Sequence, residues 1–577
     1  MVTMLSRRRL IELTATACLG LLTAQPALAQ RVVPPDADTS RMRVPVPLPR
    51  LPEFDLRIQT PERAPTPRAV DELEFNLKGI KFEGGSRFSE QQMLAFFESI
   101  IGKTITLEDF RKNVSALEDF YRKNGFFLTR VFIPPQQVRD GVFTVQIIEG
   151  YISETFVDGA SDVDRIFVER LLASLKNKKP IDLRSLEQVL LTLNDIPSLN
   201  GTGTLRPGAL PGSSELVVTV SPPPKISYVV GVNNTASKTI GPWGFSVNTS
   251  IPRPFGRLGT LGLGLSNSLA PADRLHALVG SYSMPIGSSG DVFTLGGLAA
   301  IARPGGSLRS LNVLSESWSL SPRYRKPLLR SVKHSFFVDV GLSINESEAF
   351  LNDGLPTKQA ITHDRTSSAE ISLSYQQSGV LNGSTQVSLS AFQGLDAFGA
   401  FSTARAALPS TQGFDQRFSK QTLSLSRQQM LSGGWSLSLL AQAQYSEDNL
   451  LSGDQTFFGG TLIGRGYDSG TLFGDRGFGT LAEMRWDSAK PASFGLPENL
   501  SLQFFGSYDF ARATRLANLT AGSAQSSSSI ASTALGLRIR DPKGLSAEMM
   551  VAKANTFVAS NDRKSNPRVL FTLTKIF

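Results

Sequence analysis

Most residues that could do chemistry in this 577-residue chain form no reactive pattern. His276, His334 and His363 lie far apart and show no metal-ligand spacing. They read as ordinary structural residues, and no metal is expected. Ser, His and Asp are present, but neither a G-x-S-x-G elbow nor a P-loop occurs, so an outer-membrane protease or lipase has no positive support. Gly464-Arg465-Gly466 is a fragment of a dinucleotide fingerprint without its strand-helix context. The reading is therefore no enzyme and no cofactor. What stands out is the segment Phe458-Gly459-Gly460-Thr461-Leu462-Ile463-Gly464-Arg465-Gly466-Tyr467. It places an Arg between two glycines among runs that read as membrane strands. An Arg facing lipid costs about 2–4 kcal/mol at the bilayer midplane. Arg465 therefore calls for a protein interior and a counter-ion.

The elements that must position Arg465 follow from texture along the chain. Hydrophobic residues make up 41% and charged residues 19%, too polar for a bundle of membrane helices. Arg7-Arg8-Arg9, an apolar stretch from Leu10 to Ala24 and Ala27-Leu28-Ala29 read as a signal peptide over 1–29. Cys18, the only cysteine, lies inside it, so the mature chain is expected to form no disulfide. The net charge of +9 falls to +7 once the three Arg and one Glu of Met1–Ala29 are removed. That suits an anionic membrane surface, and no clustered basic patch points to nucleic acid. Residues 30–71 form a linker with nine prolines between Pro34 and Pro67, read as an extended spacer with a candidate plug segment.

Residues 72–150 carry strand and helix patterns in the order β-α-α-β-β. Glu74 to Phe82 is a strand, and a short helix opens at Ser89 and ends near Ile100. A second helix starts near Leu107, with Phe110, Val114, Leu117 and Tyr121 on one apolar stripe and Gly125 as its stop. Phe126 to Ile133 and Val142 to Ile148 are the closing strands. The same order recurs over 151–222, with strands Ile152–Val157, Thr202–Arg206 and Glu215–Val220 and helices Val163–Leu175 and Leu183–Leu193. From Lys225 to Phe577 helical periodicity gives way to period-two alternation, as in Trp435-Ser436-Leu437-Ser438-Leu439 and Gln386-Val387-Ser388-Leu389-Ser390. About sixteen strands of about 9–14 residues are expected, long enough to cross a bilayer when tilted. Polar alternates would face a wet lumen while Trp, Leu and Tyr face lipid. A soluble antiparallel sandwich fits such a helix-free stretch behind a secretion signal poorly. The fold class is therefore multidomain: two α+β modules followed by a 16-stranded transmembrane antiparallel β-barrel.

Two β-α-α-β-β modules followed by a barrel resemble the Omp85 superfamily of POTRA-bearing outer-membrane proteins. Within it, the chain is similar to the TpsB transporters of two-partner secretion, the haemolysin-activator type. The resemblance covers nearly everything after residue 70. Leu128-Thr129-Arg130-Val131-Phe132-Ile133-Pro134-Pro135-Gln136 with Ile148-Glu149-Gly150 resembles the end of a first POTRA domain. Leu186 to Pro197 with Leu205-Arg206-Pro207-Gly208 resembles a second. Phe458 to Tyr467 with Gly474-Asp475-Arg476-Gly477 resembles the loop-six signature, and Gln503 to Arg512 the barrel-wall motif facing it.

The resemblance implies that a loop at about 449–476 folds back into the lumen, carrying Gly464, Arg465, Gly466 and Tyr467. Arg465 would then meet Asp509 on strand thirteen, beside Phe505 and Gly506. Parity agrees: Gln503, Phe505, Ser507 and Asp509 share the face suited to the lumen, while Gly506 lies with Leu502, Phe504, Tyr508 and Phe510 on the lipid face. Arg can grip a carboxylate in two-point fashion. Two positions depart from the family pattern: Gly464 replaces the customary Val, and Ala511 stands where Gly often follows the Asp. The resemblance further implies an outer-membrane transporter with periplasmic POTRA domains. Its partner would be an exoprotein whose N-terminal secretion domain is captured in POTRA grooves. Outer-membrane lipid and the barrel-assembly machinery are further expected partners, and a monomer is the expected state. The alternatives are a barrel-assembly insertase, which usually carries three or more such modules, and, from another class, a passive porin.

Overall fold

The computed structural model describes residues 37–42, 55–58, 73–138, 140–196, 198–221, 225–400, 409–488, 491–556 and 566–577. The segment expected to be a signal peptide, with Cys18, and most of the Pro-rich linker lie outside the described residues.

In the first module, Gly79–Glu83 pairs in parallel with Val142–Ile148, which pairs antiparallel with Arg130–Phe132. Helix Leu107–Lys123 covers this sheet. Its stripe Phe110, Val114, Leu117 and Tyr121 is buried, as the four-three-four spacing requires. Thr106 caps its start, and Gly125 ends it at φ +92°. Ser89 opens the preceding helix, Glu90–Leu94, with a capping box to Gln92. Two expected strands are shorter than read. The first splits at Leu77, whose fully buried side chain belongs to the core, and its N-terminal piece Glu74–Asn76 pairs with Thr104–Thr106. The strand expected over Phe126 to Ile133 is formed only by Arg130–Phe132, because Phe126 to Thr129 closes a turn. Glu118 of the helix accepts the Val131 N–H at 3.2 Å.

The second module repeats the order with strands Tyr151–Asp158, Gly201–Pro207 and Ser213–Val220 and helices Asp162–Leu172 and Leu183–Asp195. Its core gathers Ile152, Val168, Leu172, Leu186, Leu190 and Leu216, all essentially without exposure. This module abuts the periplasmic turns of the barrel. Arg330, buried at 1% exposure, grips Asp195 through Nε at 2.7 Å and Nη2 at 2.6 Å, and Arg253 meets Asp164 at 2.6 Å. Such paired, desolvated charges fix orientation more than they add stability.

The barrel closes through sixteen antiparallel strands. They are β1 Ser227–Asn233, β2 Trp243–Pro252, β3 Thr260–Ala270, β4 Leu275–Ile286, β5 Asp291–Ala302, β6 Leu314–Arg330, β7 His334–Leu351 and β8 Gln359–Val380. The second half comprises β9 Gly383–Gly394, β10 Ser419–Met430, β11 Trp435–Tyr445, β12 Arg476–Asp487, β13 Ser501–Arg515, β14 Ser526–Arg540, β15 Leu545–Ala554 and β16 Arg568–Ile576. β1 and β16 pair from Val229–Ile576 to Asn233–Thr572, which removes the sheet edges. Alternation sorts the faces as expected: Trp435, Leu439 and Leu389 point outward and are exposed to lipid, while Ser436 and Ser390 are buried inside. Trp435, Trp486 and Phe504 are register neighbours with ring centroids 6.3 and 5.9 Å apart, an aromatic band at the periplasmic interface. Strand lengths depart from the expected range. β6, β7 and β8 run to 17, 18 and 22 residues, and β1 has only 7. The outer face of the extracellular ends of β6 to β8 carries Glu316, Glu346, Glu348, His363 and Arg365. These ends therefore stand above the hydrocarbon rather than within it.

Two pieces of the linker are described. Thr39–Arg41 forms a short 3₁₀ turn inside the lumen. The Thr39 carbonyl accepts from Ser317 Oγ at 3.0 Å on the inner face of β6. Leu56–Ile58 is a strand added in parallel to Gly201–Pro207 of the second module.

Candidate functional site

Between Tyr445 and Arg476 the chain turns back into the barrel instead of closing a short hairpin. Thr456–Phe458 and Leu472–Gly474 form an antiparallel ribbon, and the glycine-rich segment is its tip. Phe458, Ile463, Tyr467 and Leu472 pack with Leu481, Ala511, Ala513 and Ile530 of the wall, so the loop has its own small core within a polar lumen. Ala511, fully buried, is part of that core. Asp475, at the loop's base, accepts the N–H groups of Leu450 at 3.0 Å and Leu516 at 2.8 Å.

The tip is held by charge. The Arg465 guanidinium donates from Nη1 to Glu483 Oε2 at 2.6 Å and to Ser507 Oγ at 2.9 Å, and from Nε to the Thr461 carbonyl at 3.2 Å. Glu483 is fully buried and is shared by three guanidiniums, with Arg485 at 2.6 Å and Arg538 at 2.8 Å besides Arg465. Arg538 also meets Glu548 at 2.5 Å and stacks over Phe505, 3.9 Å from its ring centre. The Phe505 ring lies 5.8 Å below Arg465. Charge-assisted bonds of this kind are about twice as strong as neutral ones.

The two-point ion pair expected between Arg465 and Asp509 is not formed. Asp509 does face the lumen and is fully buried, but it serves the loop's backbone. It accepts the Gly464 N–H at 2.9 Å and the Arg465 N–H at 3.4 Å, with Ser532 Oγ at 2.7 Å from each carboxylate oxygen. The reason lies in the register. Leu481 pairs with Asp509 and Glu483 with Ser507, so Glu483 stands on the lumen face of the neighbouring strand within reach of the guanidinium. Gly506 points to the outer face beside Leu535 and does not join the site. Gly464, at φ +91°, occupies a backbone region that the customary Val would resist; the departure fits a turn that aims two N–H groups at Asp509.

Sequence reasoning did not single out Glu483, Arg538, Ser532 or Arg568. Arg568 on β16 donates to the Tyr467 carbonyl and pairs with Asp468 at 3.0 Å. A signal was present in Gly479, Leu481, Glu483 and Arg485, which alternate with Phe478, Thr480, Ala482, Met484 and Trp486; charges on that inward face ask for partners. His363 shows the same blindness to strand pairing. Its two ring nitrogens lie 2.8 Å from Glu346 and 3.2 Å from Glu348, cross-strand neighbours that no spacing reveals.

Tyr467 is fully buried. Its hydroxyl lies 2.6 Å from the Thr556 carbonyl and 3.0 Å from that of Ala531, and it accepts the Thr556 N–H at 3.0 Å. Tyr467→Phe should weaken loop docking by about 1–3 kcal/mol, the cost of leaving such groups unpaired. The expected readout is faster proteolytic cleavage within 446–475 in detergent-solubilised protein. A cleavage rate equal to that of wild type would refute the role of the hydroxyl.

A closed sixteen-stranded barrel, periplasmic α+β modules and an Arg-bearing loop pinned inside the lumen define an outer-membrane transporter of the POTRA-bearing class. The profile of the family "Haemolysin secretion/activation protein ShlB/FhaC/HecB" matches residues 212–539, more than half of the chain, and that of the ShlB-type POTRA domain matches residues 75–150. The chain belongs to the ShlB/FhaC/HecB family. It is 22% identical over 513 residues to the heme/hemopexin transporter protein HuxB of Haemophilus influenzae, covering 87% of each chain. It is 24% identical over 430 residues to the hemolysin transporter protein HpmB of Proteus mirabilis, covering 72% of this chain and 73% of that one. Among solved structures, CdiB from Escherichia coli shares the fold with a TM-score of 0.70 at 18% identity, over 90% of this chain and 93% of that one.

Proposed function

We propose that this outer-membrane transporter exports one partner exoprotein of the haemolysin or adhesin type from periplasm to cell surface. In this reading both α+β modules act as POTRA domains. They capture the exoprotein's N-terminal secretion domain as an extended chain, and the lumen conducts it without a cofactor or a catalytic step. The observation that carries the reading is the way the lumen is filled. The loop 446–475 occupies it through a small apolar core and a buried charge cluster, the segment Asp38–Met42 through hydrogen bonds to the wall, and the two touch each other: the Arg41 guanidinium lies 4.7 Å from the Phe473 ring centre. A stopper built of a loop and a plug segment suits a path that must open for a chain and close behind it. A passive porin would have no use for periplasmic modules, and an insertase would serve many barrels rather than one cargo. The transporter would work as a monomer in outer-membrane lipid after insertion by the barrel-assembly machinery, without nucleic acid.

Deleting the gene should abolish release of the exoprotein encoded beside it while other outer-membrane barrels remain at normal abundance. Continued release, with barrel proteins lost in general, would assign the chain to insertion instead.

A further inference from the structure

Where the lumen segment, the inward loop and the wall meet, the inner face of the barrel carries a block of oxygen-bearing side chains. Across β6, β7 and β8, Ser317 pairs with Ser347 and Ser347 with Asp364. The neighbouring inward row is Ser319, Asn345 and Thr366, joined by the same register. Parity turns all six inward, while Trp318, Glu346 and Arg365 between the rows turn outward. The rows line a cavity of about 30 Å³, bounded also by Thr39 and Ser40 of the lumen segment and by Gly453 and Asp454 of the loop. A water needs about 10–15 Å³ by the same measure, so there is room for an ion and a water.

Asp364 is only 8% exposed, accepts the Ser410 N–H at 2.7 Å and forms no ion pair with any described residue. The cations nearby are engaged elsewhere: Lys420 meets Asp454 at 2.8 Å, and Arg41 meets Asp38 at 3.3 Å. A buried carboxylate without a counter-charge is costly. Thr366 is 6% exposed, and its hydroxyl, like the side chains of Ser319, Asn345 and Ser347, makes no hydrogen bond with any described residue. A proton on Asp364 would remove the charge but leave these oxygens without a partner, whereas a hydrated metal cation answers both. Among the described residues the lining offers carboxylate, amide and hydroxyl oxygen without thiolate or imidazole, which suits a hard ion rather than zinc. An irregular oxygen lining with room for water fits calcium better than magnesium, which demands near-ideal octahedral geometry.

We propose that this cavity is a calcium site that fastens the lumen segment and the loop to the β6–β8 wall. Asp364 and Asn345 are its side-chain ligands, and the hydroxyls of Ser319, Ser347 and Thr366 hold the waters of the ion. With a single unmatched carboxylate the site is weak, with a Kd on the order of 0.1–1 mM. Because the lumen segment and the loop both border the ion, calcium opposes the release of either. The site goes beyond the export function and does not depend on the cargo.

The test uses full-length protein in detergent, stripped with EDTA, with terbium as a luminescent stand-in for calcium. Trp318 borders the cavity and should sensitise terbium emission, which calcium should quench by displacement. Calcium at about ten times Kd should also slow proteolytic cleavage within 446–475 about tenfold, since only the ion-free form opens. Asp364→Asn keeps an acceptor for the Ser410 N–H and should lose both the emission and the protection. Asn345→Leu leaves the carboxylate in place and should weaken calcium binding at least tenfold. Trp318→Phe should lose the emission alone and keep the protection. Emission and protection in Asp364→Asn and Asn345→Leu equal to those of wild type would overturn the proposal. So would wild-type cleavage that is indifferent to calcium but slows on acidification, which would give Asp364 a proton instead of a metal.

Discussion

Glu483→Ala is expected to reduce exoprotein release to below a tenth of wild type while the barrel still inserts and migrates as a heat-modifiable species. Glu483 is fully buried, and Arg465, Arg485 and Arg538 all turn to it. Removing it leaves three guanidiniums clustered around an uncharged gap. Arg538 keeps Glu548. Arg465 keeps only neutral acceptors, Ser507 and the Thr461 carbonyl, besides the Phe505 ring. Breaking a buried pair by deleting one partner costs about 3–5 kcal/mol, enough to shift a docked loop to a largely undocked one. Arg465→Ala should be milder, because Glu483 retains two guanidiniums. Asp509→Ala should act differently, freeing the Gly464 N–H and Ser532 while the guanidinium contact persists. The expected order of loss is therefore Glu483→Ala before Arg465→Ala. Wild-type release from Glu483→Ala, or the reverse order, would show that the charge cluster does not hold the loop in the working transporter.

That prediction rests on a residue the sequence did not disclose, and the reason is physical. Alternation is a local property: Trp435 to Tyr445 displays its lipid face without reference to any other strand, and parity alone turns Asp509 inward. Which inward group meets Arg465 depends on the register between β12 and β13, set by pairing along both strands. Glu483 and Asp509 are both buried acids on adjacent lumen faces, and only the placement of the loop decides which receives the guanidinium and which the backbone. The same limit applies to Leu56–Ile58. Three residues in a proline-rich spacer carry no periodicity, and they become a strand only because a module more than a hundred residues later supplies an edge. The modules were legible where helices have stripes and caps, as in Leu107–Lys123. They were less so where a buried residue such as Leu77 breaks a strand for the sake of the core. The lengths of β6 to β8 escaped for a further reason. Pairing continues above the bilayer, where the outward residues are no longer apolar and the alternation that marks a membrane strand fades.

The second large effect is steric. A Cβ on Gly466 would fall 2.5 Å from the Ala554 nitrogen and 2.7 Å from the Lys553 carbonyl carbon, both main-chain atoms of the wall at the end of β15. Real Cβ atoms do not approach so closely, and a paired barrel strand cannot retreat as a flexible side chain would. Gly466→Ala should therefore unseat the tip, with Gly466→Val worse. Release should fall at least tenfold and cleavage within 446–475 should accelerate. Gly464 presents a different case: its φ of +91° makes any substitution strained, but one of its close neighbours, Ile530 Cδ1 at 2.7 Å, ends a side chain that can move. Gly280→Ala, where a Cβ would meet only Leu263 Cδ2 at 3.8 Å, is the control and should export normally. The comparison separates shape from charge. Glu483 tests the grip of the tip on β12, whereas Gly466 tests its approach to β15, next to the Thr556 groups that Tyr467 engages and the Arg568 that reaches from β16. If both substitutions undock the loop, its seat spans the wall from β12 to β16 and needs contact at each end. If Gly466→Ala exports as wild type does, the close approach to β15 is dispensable, and the loop is held by its charge cluster, its backbone contacts to Asp509 and its apolar core.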